Sequence, residues 1–211
     1  MHSTLKTAVT GVASSVLVAI AVIMVALAGW LNELTGADAT ASADWGSYVG
    51  LLALQLAIPL AGPWEELGWR GFALPRLLDR WNPLIASGIL GVAWATWHLP
   101  LLLAGDLPWP DVAVILAISI PFTALFLYTR GSMLLAFLMH GSVNAAAGVV
   151  VPMFEGNAVD RLYWMMAAVG VLASLLLVLA HRRDWFPEPT QIESGSHRGA
   201  GRITLPTVPR R

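Results

Sequence analysis

Six stretches of the chain carry no Asp, Glu, Lys or Arg: Thr7–Asn32, Trp45–Trp64, Trp81–Gly105, Val112–Thr129, Gly131–Phe154 and Leu162–His181. The shortest has 18 residues and the longest 26. A helix of about 20 residues crosses the hydrocarbon core of a bilayer, so each run is long enough, or nearly so, to span it. The runs take up most of the 211 residues, which leaves no room for a second folded domain. Composition agrees, with 12% of residues charged against about 25% in a soluble domain. Backbone polar groups cannot be left unpaired in lipid, which restricts spanning segments to helices or closed barrels. No alternating strands of barrel type are present. The sequence therefore predicts an all-α polytopic transmembrane helix bundle with about six spanning helices, embedded in a lipid bilayer.

The charges between the runs suggest an orientation. Lys6 precedes the first run, and Arg70, Arg76 and Arg80 follow the second; Arg130 follows the fourth, and six arginines follow the last. The alternate connections hold Glu33, Asp38, Asp44, Asp106 and Asp111, and the fifth holds Arg161 beside Glu155 and Asp160. Eleven of the twelve basic residues thus fall on one side, which the positive-inside rule makes cytoplasmic, with both termini. The first run is about twice the length of a signal-peptide core and reads as a span. Residues 1–183 form the membrane domain. Residues 184–211, rich in Pro, Gly, Ser and Arg, read as a disordered cytoplasmic tail, and Asn32–Asp44 as an exposed acidic loop.

Several function classes drop out. A net charge of −1 without a basic stripe carries no nucleic-acid signature. With no cysteine there is no thiol nucleophile and no Cys-based zinc site. A Gly-x-Ser-Gly nucleophile is lacking, and no internal repeat supports a transporter of inverted halves.

The informative residues are polar ones that a membrane helix should avoid. Glu65 and Glu66 end the second run, followed by Arg70; His98 lies in the third run and His140 in the fifth. Glu66 and Arg70, four apart with the acid first, share a helix face and can form an ion pair. Glu65 points about 100° away and is left for another partner. His140 and Asn144, also four apart, project the same way from a helix whose Gly, Ser and Ala residues allow close packing. His98 precedes Leu99-Pro100, so its helix is expected to kink or break just past the imidazole. Trp64, Trp69 and Trp81 at one end, and Trp45, Tyr48 and Trp109 at the other, read as aromatic interface belts.

Trp64-Glu65-Glu66-Leu67-Gly68-Trp69-Arg70-Gly71-Phe72 resembles the Glu-Glu-x-x-x-Arg motif of the CAAX-protease and bacteriocin-processing (CPBP, or Abi) family of intramembrane proteases. Downstream, in the family's order, Trp94-Ala95-Thr96-Trp97-His98 matches the aromatic-x-x-x-His element, with Trp where Phe is usual. His140-Gly141-Ser142-Val143-Asn144 matches His-x-x-x-Asn. The resemblance covers roughly Leu56–Gly148. It implies a helical bundle whose motif helices form an intramembrane cavity, in the bacterial plasma membrane. The implied activity is hydrolysis of a membrane-delivered peptide or protein, either CAAX-type or a bacteriocin leader. In that reading Glu65 is the general base, His98 its partner on the attacking water, His140 and Asn144 the oxyanion donors, and Glu66 with Arg70 the brace of the first motif. The family's metalloprotease label would make Glu65, His98 and His140 ligands of a zinc ion; the same residues can activate water without metal, and no His-Glu-x-x-His helix is present. A non-enzymatic relative, such as a bacteriocin-immunity factor or a small transporter, is the competing expectation.

One geometric difficulty arises. If the helices are straight, Glu65 lies near the cytoplasmic end of its run, while His98 is about 23 Å from Pro83 at 1.5 Å per residue. The two meet only if the second helix continues through Glu65 to about Leu78, tilts, or breaks at Pro59, Pro63 or Pro100.

Overall fold

The computed structural model describes residues 19–59 and 62–185, and among these all regular structure is helical. The segment expected as a cytoplasmic tail, apart from its first residues, and the first part of the first run lie outside the described residues. We number the helices α1 (Ala19–Leu34), α2 (Tyr48–Ala57), α3 (the composite segment Gly62–Leu78), α4 (Pro83–Trp97), α5 (Leu99–Ala104), α6 (Asp111–Tyr128), α7 (Met133–Val150), α8 (Asn157–Ala180) and α9 (Arg182–Trp185). Among the described residues four spans, Pro83–Ala104, Asp111–Tyr128, Met133–Met153 and Asn157–Ala180, are long and apolar enough to cross a membrane. Trp45–Ala57 and Gly62–Leu78 form a fifth if their 43° bend is counted within one span. The protein is an integral membrane helix bundle.

Small residues let the helices approach. A Cβ added to Gly91 of α4 would lie 3.1 Å from Ser119 Cβ on α6, and one on Gly170 of α8 would lie 3.1 Å from Ala117 Cβ. At these contacts hydroxyls bond across helices to backbone carbonyls: Ser119 Oγ donates to Ser87 O at 2.9 Å and Ser174 Oγ to Ala117 O at 2.7 Å. Such packing replaces the hydrophobic driving force that is missing between helices in lipid. Local signals set the boundaries. Asn82 caps α4 by accepting from Ile85 N–H, with Pro83 at the first helical position. Gly105 closes α5 in the left-handed conformation, at φ 81°.

Connecting segments meet at the ends of the bundle. At one end, Thr40 donates twice to Met153 O, and Asn32 Nδ2 donates to Ala158 O at 2.9 Å while Asn32 Oδ1 accepts from Arg161 Nε at 2.9 Å. The Tyr128 and His181 rings meet at 5.1 Å between centroids, joining the ends of α6 and α8. Asn32, expected in an exposed loop, is instead fully buried in the last turn of α1. Asn32→Ala should cost about 1–3 kcal/mol, because a fully buried side chain loses two bonds to partly buried partners at once. Thermal unfolding in micelles measures this, and an unchanged midpoint would show that the tether contributes nothing.

Candidate active site

The site is built on α3, the least regular helix. It begins as a 3-10 turn (Gly62–Glu65), passes through one α turn, widens to a π turn at Trp69–Ala73, and closes as α-helix from Leu74. Pro63 has no N–H to give to a regular ladder, and single π turns are commonly found at functional positions. Two of the three remedies for the geometric difficulty are used: the helix continues to Leu78, and the helical path breaks with a 43° bend between Ala57 and Gly62. The Glu-Glu pair is thereby carried into the bundle, and Arg70 with it. Arg70, counted from sequence with the basic residues of this connection, is completely buried, whereas Arg76 and Arg80 are exposed.

The two adjacent carboxylates have different partners. Glu66 is fully buried. Its Oε1 accepts from Arg70 Nη1 at 2.9 Å and lies 2.8 Å from His140 Nδ1. The Arg70 guanidinium sits between two rings, 4.6 Å from the Trp94 centroid and 4.5 Å from that of Phe122, where cation–π attraction supplements the ion pair. Glu65 is half-buried and forms no ion pair among the described residues, although its charge lies near enough to act on Arg70. Its Oε2 accepts from Trp94 Nε1 at 3.0 Å and Trp69 Nε1 at 3.3 Å, and its Oε1 from Trp97 Nε1 at 3.1 Å. Trp69 was expected in an interface belt; it belongs to the site. Trp64 likewise lies inward, its indole donating to Leu56 O and its ring 5.3 Å from Phe137.

No direct bond joins Glu65 to His98. Trp94 connects them: its indole N–H holds Glu65, and its backbone carbonyl lies 3.0 Å from His98 Nδ1. Because a carbonyl only accepts, His98 donates from Nδ1, and in the neutral ring Nε2 is left as an acceptor. As expected, α4 ends at Trp97 and a new helix starts at Leu99, with His98 at the joint. Asp111, read from sequence as a loop residue, lies near His98 and starts α6. No spacing rule in the sequence pairs those two positions.

On α7, His140 and Asn144 do project together. A Cβ built on Gly62 would lie 2.6 Å from Asn144 Nδ2 and 2.8 Å from His140 Nε2. Two nitrogen groups therefore converge beside the backbone of α3, three residues before Glu65.

The expected zinc ligands do not assemble. Among the described residues no three His, Asp or Glu side chains gather as metal ligands. Both oxygens of Glu65 accept from indole N–H groups, so this carboxylate does not fit as a ligand of a Glu65–His98–His140 zinc site.

The protein is thus a polytopic helical bundle with carboxylates, imidazoles and an amide gathered in its interior. Residues 46–146 match the family model described as type II CAAX prenyl endopeptidase Rce1-like. CAAX prenyl protease 2 of Methanococcus maripaludis is 32% identical over 97 residues, which cover 40% of this chain and 36% of that protein. Residues 46–146 are thus similar to the Rce1-like family over just under half of the chain, and the alignment spans about a third of the archaeal relative's length.

Proposed function

We propose that this protein is an intramembrane endopeptidase that hydrolyses peptide bonds of membrane-associated proteins or peptides, of CAAX type or resembling bacteriocin leaders, and that it does so with water activated by its own side chains. The observation that carries this reading is the convergence of His140 Nε2 and Asn144 Nδ2 at Gly62, one helical turn from Glu65. Hydrolysis of an amide needs a base for water and positioned donors for the oxygen that becomes negative.

Glu65 takes a proton from water as the water oxygen attacks the scissile carbonyl carbon. His98 orients that water through its free Nε2. The carbonyl oxygen, now an oxyanion, receives hydrogen bonds from Asn144 Nδ2 and His140 Nε2. For this step His140 carries both ring protons, one to Glu66 and one to the oxyanion. The two carboxylates, Arg70 and an imidazolium then sum to zero charge, as a water-poor interior favours. Glu65 finally passes its proton to the leaving amine. An open, mostly apolar groove of about 340 Å³ shares Trp69 with the site and is lined by Leu77, Trp81, Ile89, Arg76 and Arg80, which suits a chain arriving from the membrane on the cytoplasmic side.

The test is cleavage of a panel of membrane peptides by the purified, reconstituted protein, compared with Glu65→Ala, His98→Ala and His140→Ala. Wild-type cleavage that disappears in all three variants is expected, with no bound zinc by metal analysis and no loss on chelation. Cleavage that persists in the variants overturns the site, and chelator-sensitive cleavage with stoichiometric metal overturns the metal-free mechanism.

A further inference from the structure

We infer that Trp69, Trp94 and Trp97 act as positioning residues that clamp the Glu65 carboxylate through three neutral N–H donors; the inference rests on the proposed role of Glu65 as base. Three of the ten tryptophans of the chain direct their indole nitrogens at one side chain. They come from two helices. Trp69 is four residues after Glu65 on α3 and so shares its face, while Trp94 and Trp97, three apart, share a face of α4. The clamp therefore also ties α3 to α4.

Its geometry does more than satisfy a half-buried charge. Trp69 and Trp94 hold one oxygen and Trp97 holds the other, so the carboxylate plane cannot rotate without breaking a hydrogen bond. A carboxylate has about four lone-pair sites, and the three indoles leave one for water. Neutral donors also orient the anion without the formal positive charge that Arg70 and a protonated His140 bring to Glu66. The neighbouring carboxylates thus divide into one anchored by cations and one held in place by neutral donors and left to take a proton. Trp69 and Trp97 occupy variable positions of the first and second motifs, and at Trp94 the usual Phe has no N–H to give.

Trp97 is 62% exposed, so Trp97→Phe removes the donor with little change in packing. Loss of one hydrogen bond to a charged group predicts a fall in kcat of roughly tenfold or somewhat more, with KM unchanged. A second readout is independent of activity: indole N–H resonances of the ¹⁵N-tryptophan-labelled, full-length protein in micelles, with three of the ten assigned from Trp69→Phe, Trp94→Phe and Trp97→Phe. Glu65→Leu should move those three resonances more than the other seven. Unmoved resonances overturn the clamp, whether or not the protein cleaves anything in the peptide panel. Moved resonances with an unchanged kcat in Trp97→Phe overturn the positioning role and leave the indoles structural. A wild-type protein that cleaves no peptide defeats the protease reading separately, and the resonances then decide the clamp alone.

Discussion

Arg70→Met should destabilise the protein by about 3–5 kcal/mol, the usual consequence of removing one member of a buried ion pair. Glu66 would keep its His140 contact but lose the nearest permanent cation, inside a bundle where neither side chain reaches solvent. Methionine also fills the gap between the Trp94 and Phe122 rings without their cation–π partner. The loss should appear as a lower midpoint of thermal or denaturant unfolding in micelles. Charge and packing can be separated, because replacing a buried pair by apolar residues of similar volume is often close to neutral. The double variant Glu66→Leu/Arg70→Met should therefore recover much of the stability lost by Arg70→Met while remaining inactive. A double variant less stable than the single one would show that packing, not the stranded carboxylate, sets the effect.

Gly62→Ala should reduce kcat about a hundredfold. The added methyl would sit 2.6 Å from Asn144 Nδ2 and 2.8 Å from His140 Nε2, closer than atoms of those types can approach, so both side chains must move. Displacing a reacting or stabilising group by about 1 Å can cost on the order of 10²-fold in rate, and loss of one oxyanion donor costs about 10²–10³. Both atoms belong to side chains, so the fold can accommodate the methyl; the site cannot. Gly88→Ala on α4 is the control, since an added Cβ there meets nothing within 4 Å and Ala favours a helix over Gly by about 1 kcal/mol. Steady-state kinetics on a cleaved peptide measure both variants, and an unchanged kcat in Gly62→Ala would remove the donor pair from the mechanism.

Much of the helical layout was legible because membrane physics acts on composition alone. The charge-free runs anticipate α4 with α5, α6 and α7 closely. The sixth run starts late: α8 begins at Asn157 and includes Asp160 and Arg161. Those charges sit at the helix start, where Arg161 reaches Asn32 and Thr35. The Glu66–Arg70 pair and the common direction of His140 and Asn144 follow from spacing, since residues four apart on one helix must face together. The tryptophans around Glu65 were less legible. An indole at a helix end is usually explained by the membrane interface, and nothing local distinguishes Trp81, which is exposed, from Trp69, which turns inward on a π turn.

The sequence by itself determined the class of structure, the polar residues that membrane helices do not tolerate without partners, and the order of three motifs. These properties reside in single residues or within one helical turn. Only the tertiary structure decided which polar group meets which. It paired Glu66 with His140, gave Glu65 to three indoles, joined His98 to Glu65 through Trp94, and set His140 and Asn144 at Gly62. The physical reason is that these partners sit on different helices. Their meeting depends on a bend between α2 and α3, an irregular winding of α3 and the depth at which small residues let neighbouring helices pack, none of which periodicity along one helix can encode.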